Sequence, residues 1–183
     1  MPIQHISENV LKIMKRPSSV KKLKELLYLM KEEFSFVRTS VIAGHPGERE
    51  EDFKELCDFL KEYNFDRVNV FAYSDEEDTS AYKRKDKLPQ DLVEKRAEIL
   101  GEIVQKTTIK SLKKYIGKTI ECFFDGLTDD ELFYSVRPKL WEVEIDGDIL
   151  INESEKENLE IGEIVKVTVN ELAGEELVGK IVL

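Results

Sequence analysis

The chain is poor in cysteine, tryptophan and histidine, and it has no apolar stretch long enough to cross a membrane. Its two cysteines in 183 residues, Cys57 and Cys122, stand far apart. That spacing excludes a disulfide framework and leaves no readable cysteine-based metal site. The missing apolar span excludes a membrane-crossing helix. The first residues also lack the apolar core of a signal peptide, so the cytoplasm is the expected compartment. Net positive charge is missing as well. Lys and Arg number 28 against 38 Asp and Glu, a formal charge of −10. Such a balance argues against nonspecific nucleic-acid binding and leaves room for a basic protein partner. What remains is a highly charged globular composition, 41% apolar and 36% charged, sufficient for one or two domains.

Residues 1–5 read as the end of a strand. Ser7 is placed to cap a helix reaching Met14, with Val10, Leu11 and Met14 on one face. Arg16-Pro-Ser-Ser19 breaks it, and Ser19 opens a second helix. There Leu23, Leu26, Leu27, Met30 and Phe34 recur at helical spacing and are expected in a core. A strand over 37–44 ends in Gly44-His-Pro-Gly47. Glu48, Glu50, Glu51 and Asp52 then load the first turn of a helix to about Tyr63, where exposed N–H groups favour negative charge. Cys57 shares the apolar stripe of Phe53, Leu56 and Leu60 and reads as an inert buried thiol. Asn64 to Asp66 closes that helix. A third strand covers 68–73, a polar loop 74–79, and a short basic run 83–87 reads as a solvated face. Pro89 starts a long helix to about Tyr115 with Leu92, Val93, Ile99, Ile103 and Val104 inward. Strands alternating with helices predict a parallel sheet with right-handed crossovers, of which three units are visible.

Beyond Gly117 the pattern changes. Segments 119–125, 132–136, 148–151, 164–169 and 177–182 are strand-length and separated by turn residues, which predicts a small antiparallel barrel. The predicted domains are therefore 1–116 and 117–183. From Lys113 onward eight Lys or Arg face seventeen Asp or Glu, a balance of −9, which suits a basic partner or merely a solubilising surface. In the first domain, Gly44 and Gly47 stand at the carboxyl end of a strand, where α/β folds keep ligand sites. An ordinary β–α turn is an equally open reading of that corner.

Three segments together resemble one family. Pro2-Ile-Gln-His-Ile-Ser7, the stretch from Arg38 to Glu48 with Glu51-Asp-Phe53, and Val70-Phe-Ala-Tyr-Ser74 are similar to the later part of the radical S-adenosylmethionine domain of methylthiotransferases. The terminal barrel, with Glu144-Ile-Asp-Gly147 inside it, resembles the TRAM domain that closes those enzymes. Arg38-Thr39 and the 144–147 segment resemble the branch that modifies an aspartate of a small-subunit ribosomal protein. The sister branch acts on a modified adenosine of transfer RNA. An acidic barrel agrees with the protein-directed branch, because an RNA-binding barrel presents Lys and Arg to phosphates. The implied fold class is α/β: a partial, three-unit radical-SAM β/α barrel followed by a small OB-like TRAM barrel.

The resemblance implies S-adenosylmethionine and two 4Fe–4S clusters as cofactors, with a methylthio group installed on the β-carbon of the aspartate. One cluster needs a CxxxCxxC loop, which is absent here. The expectation is therefore a fragment, inactive alone and of little cofactor affinity, that self-associates through an exposed strand edge or has a loose N-terminal half beside a compact barrel. A fragment of the transfer-RNA branch and a standalone ribosome- or protein-binding module are the alternatives. By the same resemblance, Gln4, His5 and Ser7 face the cofactor, although His5 is equally a structural histidine. Ser40, Ile42, Gly44, Pro46 and Gly47 lie against the adenosine, with Ile42 on the adenine and His45 able to stack. Arg38 pairs with a carboxylate of cofactor or substrate, or with a helix acid. Tyr73 and Ser74 end the last strand within reach of the cofactor, although Tyr73 is equally a core residue. On the barrel, Arg137 and Trp141 are candidate contacts to a basic ribosomal protein, since Trp and Arg are enriched at hot spots.

Overall fold

The computed structural model describes residues 1–17, 19–142 and 145–183. Of the 144–147 segment, Glu144 lies outside the described residues. The elements are α1 (Glu8–Ile13), α2 (Val20–Glu33), β1 (Arg38–Ala43), α3 (Glu50–Tyr63), β2 (Arg67–Ala72) and α4 (Gln90–Leu112). Five strands follow: β3 (Thr119–Leu127), β4 (Tyr134–Pro138), β5 (Ile149–Ser154), β6 (Ile164–Ala173) and β7 (Glu176–Val182). They gather into two compact units, Met1–Ser111 and Leu112–Leu183.

In the first unit β1 and β2 pair in parallel, Arg38 opposite Arg67 through Ala43 opposite Ala72. On the other edge of β1 the expected strand contracts to a single parallel bridge. Gln4 N–H donates to Ser40 O at 2.9 Å and Gln4 O accepts from Ile42 N–H at 2.8 Å. Gln4 takes a positive φ of 67°, which interrupts the extended run that residues 1–5 were expected to form. Along β1 burial alternates: Thr39, Val41 and Ala43 face the core, while Arg38, Ser40 and Ile42 lie half-buried on the opposite face. The core joins Val41, Ala43 and Val68 to Leu56 and Leu60 of α3 and Leu100 of α4. Tyr63 O–H donates to Leu27 O at 2.5 Å and so ties α3 to α2.

Helical spacing identified faces, but not all of them are covered. On α2 Leu27 is buried and Leu23 and Met30, as expected, pack half-buried against the core, while Leu26 and Phe34 at its C-cap remain 46% and 60% exposed. On α4 the buried stripe is Val93, Arg96, Leu100, Ile103 and Thr107, and Ile99 falls outside it. Neither Ser7 nor Ser19 makes a side-chain cap bond.

The second unit is a closed barrel in the order β3-β4-β5-β7-β6. Four of its pairings are antiparallel, but β5 and β7 run parallel. The small antiparallel barrel expected from the sequence is present, with one parallel pair that its closure requires. Directions cannot alternate around a ring of five strands, so one neighbouring pair must agree. Inward residues such as Cys122, Val136, Ile149, Val167 and Leu177 alternate with exposed ones and fill the barrel.

Candidate functional site at the carboxyl ends of the parallel strands

β1 ends at Ala43 and the chain turns through Gly44-His45-Pro46-Gly47, with φ of 78° at Gly44 and 87° at Gly47. Only glycine adopts such angles without strain. Space is short as well: a Cβ on Gly44 would lie 2.7 Å from Val93 Cγ2, and one on Gly47 would lie 2.7 Å from Ile13 Cδ1. The turn is wedged between α1 and α4.

Glu48 precedes α3 and does not sit on its first turn, since Arg49 is the N-cap. Its buried carboxylate holds the turn from inside. Gly44 N–H donates to Oε2 at 3.0 Å, Arg96 Nη1 donates to Oε1 at 2.6 Å, and His5 Nε2 stands 3.5 Å from Oε2. His5 Nδ1 accepts from Ser7 N–H at 2.9 Å, which leaves the proton of the neutral ring on Nε2, facing Glu48. A second node lies beside it. Asp52 accepts from Ser7 Oγ at 2.5 Å, Asn9 Nδ2 at 2.9 Å and Arg49 Nε at 2.9 Å. Burial pushes the Asp52 carboxyl up, but these donors outweigh it and hold the group well below the usual carboxylate range.

The outer side of the same turn faces a cavity of about 520 Å³, within the usual range for small-molecule sites. Gln4, Ile42, His45, Phe71, Tyr73 and Ser74 form its inner wall. Met14, Arg16 and residues of the 76–81 loop close the far side. Ile42 and Phe71 are register partners and present adjacent apolar surfaces. His45 meets the Tyr73 ring edge-on at 5.4 Å, and burial lowers its pKa, so the imidazole is neutral at pH 7. Gln4 Oε1 is buried and has no hydrogen-bond partner among the described residues. Tyr73 O–H donates to Asp75 at 2.8 Å, and Lys87 pairs with Asp75 at 2.6 Å. The basic run 83–87 is solvent-exposed at every position but the half-buried Arg84, as expected, while its backbone meets the turn where Gly47 N–H donates to Asp86 O at 3.2 Å.

Of the residues singled out from sequence, Gln4, Ile42, His45, Tyr73 and Ser74 line the cavity. Gly44, Pro46 and Gly47 shape the adjoining turn, while Arg38 and Ser40 share the face of Ile42 nearer the amino ends of the strands. His5 and Ser7 turn inward to Glu48 and Asp52 instead. Sequence reasoning missed Phe71, Met14 and Arg16 in the wall and Arg96 behind the turn. An arginine on the apolar stripe of α4 was the available signal for Arg96.

The expected barrel contacts need correction. Trp141 is 2% exposed and packs edge-on to Tyr115 at 5.8 Å, so it offers no surface to a partner. Arg137 is spent internally, donating from Nη1 to Trp141 O at 2.9 Å and pairing with Asp125 at 3.2 Å. Both cysteines are buried, and burial pushes their thiols up, to about 11 for Cys57 and about 12 for Cys122. Among the described residues no group of three or more His, Cys, Asp or Glu is arranged to hold a metal ion. No helix among them is long and apolar enough to cross a membrane.

Comparison with known proteins adds three findings. The family model for the TRAM domain matches residues 116–182. A ribosomal protein uS12 methylthiotransferase RimO from Nitratiruptor sp. is 55% identical over 183 residues, covering 99% of this chain and 42% of the relative. The protein of the same name from Aliarcobacter butzleri is 48% identical over 187 residues, covering 100% of this chain and 42% of the relative. The chain thus spans 42% of the length of the curated relatives it matches. A solved structure, the apo form of Mycoplasma genitalium RNase R, matches 60% of this chain and 20% of its own at 16% identity. Its TM-score is 0.33, too low to carry an argument.

Proposed function

The chain belongs to the RimO family of uS12 methylthiotransferases, whose C-terminal region it matches, and we propose that it supplies two parts of such an enzyme. Residues 1–116 form the adenosine-side wall of a radical-SAM domain, and residues 117–183 form a TRAM barrel that docks the substrate protein. The whole enzyme, in the cytoplasm, adds a methylthio group to the β-carbon of an aspartate in uS12. The observation that carries this reading is the cavity at the carboxyl ends of β1 and β2, beside the glycine turn, in a chain so similar to these enzymes.

The cavity suits the adenosyl portion of S-adenosylmethionine. Ile42 and Phe71 offer apolar surface to a base, His45 and Tyr73 add aromatic edges, and Gln4 has an unpartnered carbonyl oxygen. When bound, the cofactor supplies the radical that removes a substrate hydrogen. This chain's residues bind and orient it, and Glu48 keeps Gly44 and His45 in place behind it. The 4Fe–4S clusters do not fit this chain. Its two cysteines are buried with raised pKa values and lie one in each compact unit, so neither cluster finds a ligand set. We therefore assign the chain no catalysis by itself.

The test is a chimera. The Nitratiruptor relative, with its matching region replaced by residues 1–183, is assayed by mass spectrometry of uS12. Modified uS12 is expected, and Ile42→Asp should lower turnover by at least about tenfold at equal expression. A folded chimera that leaves uS12 unmodified, or an unaffected Ile42→Asp, overturns the proposal.

A further inference from the structure

With the barrel strands counted from its own start, their order is 1-2-3-5-4 with strands 3 and 5 parallel, the topology of an OB-fold. Such barrels bind oligonucleotides on strands 2 and 3 and on the loop joining strands 1 and 2. Here those positions are β4, β5 and the 128–133 loop. A cleft of about 270 Å³ lies there, between the loop and the end of β5, and Leu127, Leu132, Tyr134 and Ile151 line it.

The site's charge is inverted. Asp129, Asp130, Glu131 and Glu153 are exposed on these segments. No Lys or Arg occurs between positions 119 and 136 or between 140 and 155. Four of the barrel's bases are engaged elsewhere, Arg137 with Asp125, Lys139 with Glu121, Lys156 with Glu163 and Lys180 with Glu155. None of these four acids has an ion pair among the described residues, and Glu131 and Glu153 line the cleft itself. Phosphates would be repelled from this face, and lysine or arginine drawn to it.

Apolar surface stands beside these acids. Leu132 is 73% exposed and Leu127 56%, and Ile161, 77% exposed, borders Gly126 at the base of the loop. The loop that carries Leu132 is tightly bonded. Thr128 N–H donates to Phe133 O at 2.9 Å, and Asp130 accepts from Thr128 Oγ1 at 2.5 Å and from Leu132 N–H at 3.1 Å. A loop backbone fixed in this way is preorganised for a partner, since less chain ordering remains when one binds.

We propose that this cleft docks a lysine- or arginine-rich protein segment that inserts an apolar side chain between Leu127, Leu132 and Tyr134. The inference rests on the reading of the barrel as the substrate-docking part and locates that function on one face.

The test uses the isotope-labelled 183-residue chain with three probes: a synthetic dodecapeptide of lysine and serine with one central leucine, recombinant uS12, and a uridine dodecamer. The peptide should perturb amides in 127–134 and 151–154. Asp129→Lys with Glu153→Lys should weaken it by at least about tenfold, and Leu132→Ser by about fivefold, because each removes an exposed contact. All three positions are exposed, and Trp141 fluorescence verifies that the variants fold. Perturbation elsewhere, or displacement of the peptide by the uridine dodecamer, overturns the site. Should uS12 bind on another face, the site falls and the proposed function stands. Should the peptide seat here while uS12 fails to bind, the site stands and the proposed partner falls.

Discussion

Asp52 shows how a single carboxylate organises the floor of the glycine turn. Its donors come from residue 7, residue 9 and residue 49, so one side chain joins α1 to the start of α3. Its folded pKa lies below the ordinary value of about 3.9, so its stabilisation is fully present above that value and disappears as pH falls through the folded pKa. Asp52→Asn should destabilise the first unit at pH 7 by about 1–3 kcal/mol, with the gap to wild type narrowing toward about pH 2. Urea unfolding followed by far-ultraviolet circular dichroism across that range checks it, and a pH-independent gap refutes the assignment. Glu48 makes a sharper case, because its removal leaves the buried Arg96 with only the solvent-exposed carboxylate of Glu50, at 2.8 Å, as an ionic partner. Glu48→Ala should cost about 3–5 kcal/mol, and adding Arg96→Met should recover part of the loss. An equal or larger loss in the double variant would mean the pair is not the source. This network was only half legible in the sequence. The glycines announced the turn, but Glu48 and Asp52 read as two more acids on the first turn of a helix, favoured by its N–H groups. The pairing of Glu48 with Arg96 spans 48 positions, beyond any local pattern.

At the scale of elements, legibility depended on whether a local signal was enough. α3 falls where its acidic start and its Asn64 terminus placed it, Asn64 adopting the left-handed conformation that ends helices. Each of the five barrel strands overlaps a segment read from alternation. What alternation could not reveal was the β5–β7 parallel pair, which is a property of closing an odd ring, or the shortness of the first strand, since glutamine gives no warning of a positive φ. Apolar spacing on α2 likewise identified a shared face without showing what covers it. The barrel contains one more constraint of this kind. A Cβ on Gly179 would lie 2.6 Å from Thr168 O, where β7 passes β6. Gly179→Ala should therefore force the two strands apart and cost about 1–3 kcal/mol. Trp141 is the sole tryptophan and belongs to the barrel, so its fluorescence in urea reports the loss directly. An unchanged midpoint would show that the strands yield without penalty.

The whole molecule divides its burdens unevenly. The first unit rests on one two-stranded sheet with an added bridge, and among the described residues β2 has only β1 beside it. Phe71 and Phe34 stand more than half exposed. The second unit is a closed barrel, which leaves no unpaired strand edge. Stability should follow that contrast, because open sheets with little cover lose fewer contacts on local opening than closed barrels do. The two cysteines offer a readout, since Cys57 lies in the first unit and Cys122 in the second, both buried and with raised thiol pKa values. Neither should react with iodoacetamide at neutral pH in the native chain, because the reactive species is the thiolate and the sulfurs are covered. In pulses of reagent at rising urea, Cys57 should become labelled first. Cys122 should follow at a higher concentration, together with the change in Trp141 fluorescence. Labelling of both thiols at one shared midpoint would mean that the chain unfolds as a single cooperative body, and that the barrel contributes stability to the open sheet as well as to itself.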